Sequence, residues 1–206
     1  MSFRFFRAGG LKAIQTAQAK TLYPRIVGPG WAHLGEPVQR LHTGTSTLYG
    51  AGKFTVRRGE SGPARLLAGL MRLPSAGNDV HVKLVITPHE SGERWHRTFG
   101  PVPFITEQRA GEDGLMLERI GPTEVRYRLE VAGGALYYRH TGTALRLGPI
   151  RLPLPRWLAP HITARESAMP DEKSTHISVK VTLPLIGLLV SYKGYIEIMD
   201  EGGRMK

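Results

Sequence analysis

The sequence contains no cysteine. That excludes disulfides, thiolate nucleophiles and cysteine-based zinc sites, and it suits a reducing compartment. No apolar run reaches membrane-spanning length. The longest, LPLIGLLV at residues 183–190, is interrupted by Pro184 and Gly187 and falls well short of the roughly 20 apolar residues that a spanning helix needs. Acidic residues are scarce early on: residues 1–58 hold nine Lys or Arg against one acid, Glu36. Familiar catalytic signatures are missing too, with no G-x-S-x-G, Walker or H-E-x-x-H pattern. The paired glycines of GGALYYRH precede a strand pattern and not a helix start, so they do not make a phosphate loop. The first twenty residues have neither a long apolar core nor an A-x-A site and make a poor secretory leader.

What is present is enough for one full hydrophobic core: 206 residues, 41% of them apolar. The net charge of +11 is uneven, because residues 59–206 hold nineteen basic against sixteen acidic side chains. The chain divides into a basic extension over residues 1–21, a single β-rich domain over 22–198 and a tail over 199–206. Residues 11–20 read as a short basic helix, and residues 1–20 have the charge for weak contact with an anionic membrane. The expected location is cytoplasmic, with a membrane-peripheral one as the alternative.

From Gly50 onward the pattern is of short strands parted by turn clusters such as SG, GEDG, GP and AGG. TEVRYRLEV (123–131) is the clearest, with Val125, Tyr127, Leu129 and Val131 alternating against Glu124, Arg126, Arg128 and Glu130. Ser61 and Pro63 open one helix, in which Leu66, Leu67, Leu70 and Leu73 recur at helical spacing before Pro74. LYPRIVGPGW (22–31) reads as loop and EPVQRLH (36–42) as one or two helical turns. Short turns imply antiparallel neighbours. The fold class is therefore α+β and mostly β: a strongly curled antiparallel sheet or partial barrel of about eight or nine strands, with one main helix packed on its concave face.

Several charges fall out of phase with this pattern. In GERWHRTFG (92–100) one strand face carries Glu93, Trp95, Arg97 and Phe99, so an arginine stands between two aromatics that should face a core. Arg58 is in phase with Phe54 and Val56, Glu118 with Met116 and Ile120, and Glu166 with Ile162 and Ala164. A lone buried charge costs several kcal/mol, so an inward arginine needs a carboxylate, a ring of carbonyls or an anionic ligand. One account pairs Arg97 and Arg58 with Glu118 and Glu166 as fasteners of strand register. The other has Arg58, Trp95, Arg97, Phe99, Glu118, Tyr127 and Glu166 lining a cavity for a small apolar or amphipathic anionic molecule. A third has an inward Glu118 or Glu166 acting as acid or base, although no catalytic motif marks it. His89, Glu90, Glu93 and His96 crowd one hairpin, but Glu93 and His96 lie on opposite strand faces, so no metal site is expected and no cofactor is called for. The aromatic–basic run RYRLEVAGGALYYRH sits among acids and forms no basic stripe, so no specific nucleic-acid partner is expected.

The series RLH (40–42), VRRG (56–59), ARLLAGLMRLPSAG (64–77), GERWHRTFG, LERIGP (117–122), LPLPRWLAP (152–160), ARE (164–166) and LPLIGLLVSYKGY (183–195) resembles a bacterial domain-of-unknown-function family. Its members occur alone or fused C-terminal to saccharopine-dehydrogenase-like or epimerase-like NAD(P)-binding domains. The resemblance runs from about Leu22 to Ile198. It transfers no reaction and no catalytic set. It implies that the motifs carrying Arg97, Glu118 and Glu166 are family features, and that an NAD(P)-dependent dehydrogenase would serve as a partner in trans, because this chain carries no nucleotide-binding module of its own.

Overall fold

The computed structural model describes residues 21–199. Residues 1–20 of the basic extension, on which the expected short helix at 11–20 falls, and the tail from 200 onward lie outside the described residues. Eleven antiparallel strands dominate: β1 (Leu48–Arg58), β2 (Gly77–His89), β3 (Gly92–Phe99), β4 (Val102–Ala110), β5 (Met116–Ile120), β6 (Thr123–Ala132), β7 (Ala135–Leu147), β8 (Ile150–Pro153), β9 (His161–Ala168), β10 (Ser174–Leu183) and β11 (Gly187–Met199). Among the described residues three short helices accompany them: α1 (Leu22–Val27), α2 (Glu36–His42) and α3 (Gly62–Leu70), with a 3-10 turn at Gly28–His33 between the first two. No helix among the described residues is long and apolar enough to cross a membrane.

The strands run in order around a closed barrel. β1 to β7 pair successively, β7 pairs with β9, β9 with β10, β10 with β11, and β11 with β1. The expectation of a curled antiparallel sheet holds, but the strands number eleven, ten of them closing the barrel. Two were not anticipated. β4 escaped because its inward positions, Thr106 and Gln108, are polar and spoil the alternation. β8 escaped because prolines surround it. β8 and β9 follow one another along the same edge of β7, at Ala144–Leu147 and Leu136–Arg139 respectively. They act as a single wall strand broken by an excursion over residues 154–160.

Closure requires tight coiling where β1 meets β11. A Cβ on Gly52 would lie 1.7 Å from the Tyr195 carbonyl oxygen, and one on Gly194 would lie 2.1 Å from that of Lys53. Only glycine lets the two backbones approach so closely there.

The helices correct the sequence reading in two ways. α3, the one helix anticipated in full, buries Ala64 and Ala68 and leaves Leu66 and Leu70 in solvent. It packs at one end of the barrel, on β11 and β1, and does not fill the concave face. That role falls to α1 and α2, read beforehand as loop and one or two turns. They enter at the opposite end and place Tyr23, Val38, Leu41 and His42 in the core. A hydrogen bond from the Gly35 amide to the Gly134 carbonyl (2.9 Å) ties the start of α2 to the β6–β7 turn.

Candidate functional site

The lumen is apolar at the α3 end, where Phe54, Phe99 and Tyr192 pack edge to face with centroids 5.2–6.0 Å apart. Towards the α1–α2 end it becomes polar. Alternation on β3 turns Glu93, Trp95 and Arg97 inward, as the sequence indicated. The Arg97 guanidinium lies 4.6 Å from the centre of the Trp95 ring, its Nη1 donates to Thr106 Oγ1 at 3.2 Å, and it stands 4.0 Å from Glu118. The Trp95 indole donates to Glu93 at 3.0 Å. Burial pushes the Glu93 carboxyl above its ordinary value of 4.5.

From Glu118 a chain of side chains crosses the barrel. Gln108 Nε2 donates to Glu118 at 3.2 Å, and Tyr23 donates to Gln108 Oε1 at 2.7 Å. The Tyr138 hydroxyl lies 3.1 Å from that of Tyr23 and 2.9 Å from Glu166 Oε1. Glu166 Oε2 meets His42 Nε2 at 2.5 Å. Burial, with the Glu166 charge adding to it, holds both tyrosine hydroxyls well above 10.0, so each stays a neutral donor at physiological pH. Tyr138 has one proton and two acceptors. It can serve Glu166 or Tyr23, not both at once. The arrangement can anchor hydrogen-bonding groups placed within the lumen. His42 Nδ1 is buried without a hydrogen-bond partner, and the Tyr23 ring lies 3.7 Å from the imidazole centre.

An internal cavity of about 50 Å³ adjoins this chain. Arg97, Gln108, Glu118 and Glu166 give it a polar side, and Ile177 and Val179 an apolar one. Of the residues singled out from sequence, Trp95, Arg97, Glu118, Tyr127 and Glu166 converge on this cavity. Phe99 packs in the aromatic cluster instead. Arg58 lies apart: it donates to the carbonyls of Leu73 and Pro74, securing the segment that follows α3. The anticipated pairing of two arginines with two glutamates thus survives only between Arg97 and Glu118. Glu166 takes His42, and Arg58 takes carbonyls.

Tyr23, His42, Gln108 and Tyr138 were missed. His42 stood in the RLH motif, and Tyr138 in the strand pattern of GGALYYRH. Gln108 had no signal because its strand had none. The hairpin histidine His89 meets Glu107 at 3.3 Å, and among the described residues no three His, Asp or Glu side chains are grouped to hold a metal.

The wall beside the cavity is lined on its outer side as well. A crevice of about 360 Å³ on the outer wall, beside the break between β8 and β9, shares Tyr138, Ile162 and Ala164 with it. No curated protein and no solved structure matches the chain. The span expected from resemblance was about Leu22 to Ile198; a family model matches the slightly narrower span of residues 34–196, most of the barrel together with α2 but without α1, and the chain belongs to that family, described as a domain of unknown function (DUF4166).

Proposed function

We propose that this barrel is a binding module that holds a small amphipathic molecule in its lumen. Its head would meet Arg97, Glu118 and Gln108, and its apolar part would lie against Ile177, Val179 and Tyr192. The observation that carries this reading is the convergence of hydrogen-bonding groups from β3, β4, β5, β7 and β9 on one internal cavity with an apolar opposite wall. Glu118 already stands against Arg97. The head that fits is therefore a neutral hydrogen-bonding group, because an anion would have to displace that carboxylate. A volume of about 50 Å³ accommodates only a few atoms. A larger occupant would move the side chain of Tyr23 or enter past Ile162. Native mass spectrometry of gently purified protein tests the reading. An added mass that vanishes on denaturation and weakens in Arg97→Leu supports it, whereas a clean apo mass across independent preparations counts against it.

Acid–base chemistry at Glu166 is a second reading, favoured by its 2.5 Å contact with His42 and its acceptance of the Tyr138 proton. A Glu166→Gln variant that binds the identified molecule normally but no longer converts it would establish this reading. Unchanged conversion would dismiss it. A dehydrogenase working in trans is a further partner reading, and co-purification from host extract followed by mass spectrometry tests it.

A further inference from the structure

Large exposed apolar side chains gather at the α3 end of the barrel. β1 ends at Arg58, opposite Val190 near the start of β11, and α3 follows directly. Ser61 at the head of α3 reaches the carbonyl of Ile186 in the β10–β11 turn at 3.5 Å. Thr182, just before that turn, pairs with His161, the residue that ends the excursion between β8 and β9. The helix, the turn and the excursion therefore stand side by side on one rim. They expose Leu66 (74%), Leu70 (78%), Leu185 (99%) and Trp157 (63%), with Leu158 beside them.

Beside an inward face of Ala64, Leu67 and Ala68, the helix carries a second apolar pair, Leu66 and Leu70, that its own core does not use. Leu185 sits at φ +67°, a left-handed conformation that glycine or asparagine adopts far more readily. An exposed leucine is thus kept where nothing in the fold calls for one.

Charge identifies the occupant. The rim segments 61–76, 145–161 and 179–188 contain no Asp or Glu, although exposed Glu60 borders the first of them, while Arg65, Arg72, Arg156 and Lys180 are exposed in them. Tryptophan and leucine interleaved with basic side chains that outnumber the acids is the composition of a surface that sits at the headgroup level of an anionic membrane. The outer wall carries Lys53, Lys83, Arg94 and Lys193, all exposed, so the barrel cannot present the apolar band of a membrane-spanning one.

We propose that this rim docks the protein on an anionic lipid bilayer, with Leu66, Leu70, Leu185, Trp157 and Leu158 at the headgroup–acyl boundary. The inference is independent of what occupies the lumen, and it places the contact on the rim and not on residues 1–20.

The test uses the full chain with vesicles of phosphatidylcholine alone or mixed with phosphatidylglycerol. Co-sedimentation with the mixed vesicles is expected, weakening with salt. Either double variant, Leu66→Ser/Leu70→Ser or Trp157→Ala/Leu158→Ala, should weaken it by about tenfold. Brominated acyl chains should quench Trp157 emission in the unaltered protein, and that quenching should be absent in Trp157→Phe. The quenching result stands even if a leucine variant fails to fold. Three outcomes would overturn the proposal: no binding to the mixed vesicles, equal binding without phosphatidylglycerol, or unchanged binding in both double variants, which would move the contact to residues 1–20. Self-association in sedimentation that the same variants abolish, without vesicle binding, would make the rim a contact between copies and also overturn it.

Discussion

His42 and Glu166, 124 residues apart in sequence, meet at 2.5 Å inside the barrel, one on the plug helix α2 and the other on the wall strand β9. Each needs the other: the carboxylate is almost wholly excluded from water, and the imidazole wholly so. Removing one partner of such a pair costs more than neutralising it, because the remaining group keeps its desolvation penalty. His42→Ala should therefore destabilise by about 3–5 kcal/mol, and Glu166→Gln, which keeps the shape and an acceptor oxygen for one of its two neighbours, by about 1–2 kcal/mol. Urea unfolding of the two variants settles the order, and a smaller cost for His42→Ala would contradict it.

Gln108 is the hinge of the polar chain, since it accepts from Tyr23 and donates to Glu118. Gln108→Leu takes one partner from each, leaving Glu118 to Arg97 and Tyr23 to Tyr138, at a cost of roughly 1–3 kcal/mol. Because Tyr23 lies on α1, the loss should loosen the plug before the wall. Hydrogen exchange should quicken at residues 22–42 while the β1–β11 ladder keeps its protection. Uniform acceleration would show that plug and wall open as one unit.

Two carboxyls give pH dependence of opposite sign. Burial raises Glu93 above 4.5, so its native form binds protons more tightly than the unfolded chain does. The stability this contributes is complete below 4.5 and is lost as pH rises through the higher folded value. Glu93→Gln should therefore be more stable than the unaltered protein at neutral pH, and the gap should close on acidification. Although burial pushes Glu124 up, hydrogen bonds from Arg151 and Arg146 bring it below 4.5 overall. Its contribution is complete above 4.5 and is lost as pH falls through the lower folded value. Glu124→Gln should be less stable at neutral pH, with the difference shrinking in acid. Thermal unfolding of the three proteins between acidic and neutral pH reads both signs at once.

Gly52 and Gly69 separate steric need from chance. Gly52→Ala drives a methyl into the Tyr195 carbonyl and should cost about 3 kcal/mol or prevent closure. Gly69 lies on the exposed face of α3 with nothing within 4 Å, so Gly69→Ala should stabilise by about 0.5–1 kcal/mol. Equal effects in calorimetry would refute the closure argument.

How much was readable in advance depended on what each residue does. Strands whose inward positions are apolar, such as Val125–Tyr127–Leu129, announce themselves by alternation. The charges that break phase at Arg97, Glu118 and Glu166 announce a lumen site for the same reason. β4 hid because the residues it contributes to that site, Thr106 and Gln108, are the ones that erase its pattern. Tyr23 and His42 hid because a plug helix of six or seven residues offers too few turns for periodicity to show. The outward leucines of α3 misled because helical spacing reports that one face is apolar and does not say what that face meets.

The plug also sets the order in which the protein can mature. Tyr23 and His42 leave the ribosome early, yet their partners Gln108, Tyr138 and Glu166 are 85 to 124 residues further on. The barrel they fill closes only when β11 returns to β1. During synthesis, α1 and α2 must wait with Leu22, Tyr23, Val38 and Leu41 unburied until nearly the whole domain has emerged. The segment translated ahead of the barrel strands is thus among the last to be enclosed, and in that interval its apolar side chains stay in contact with water.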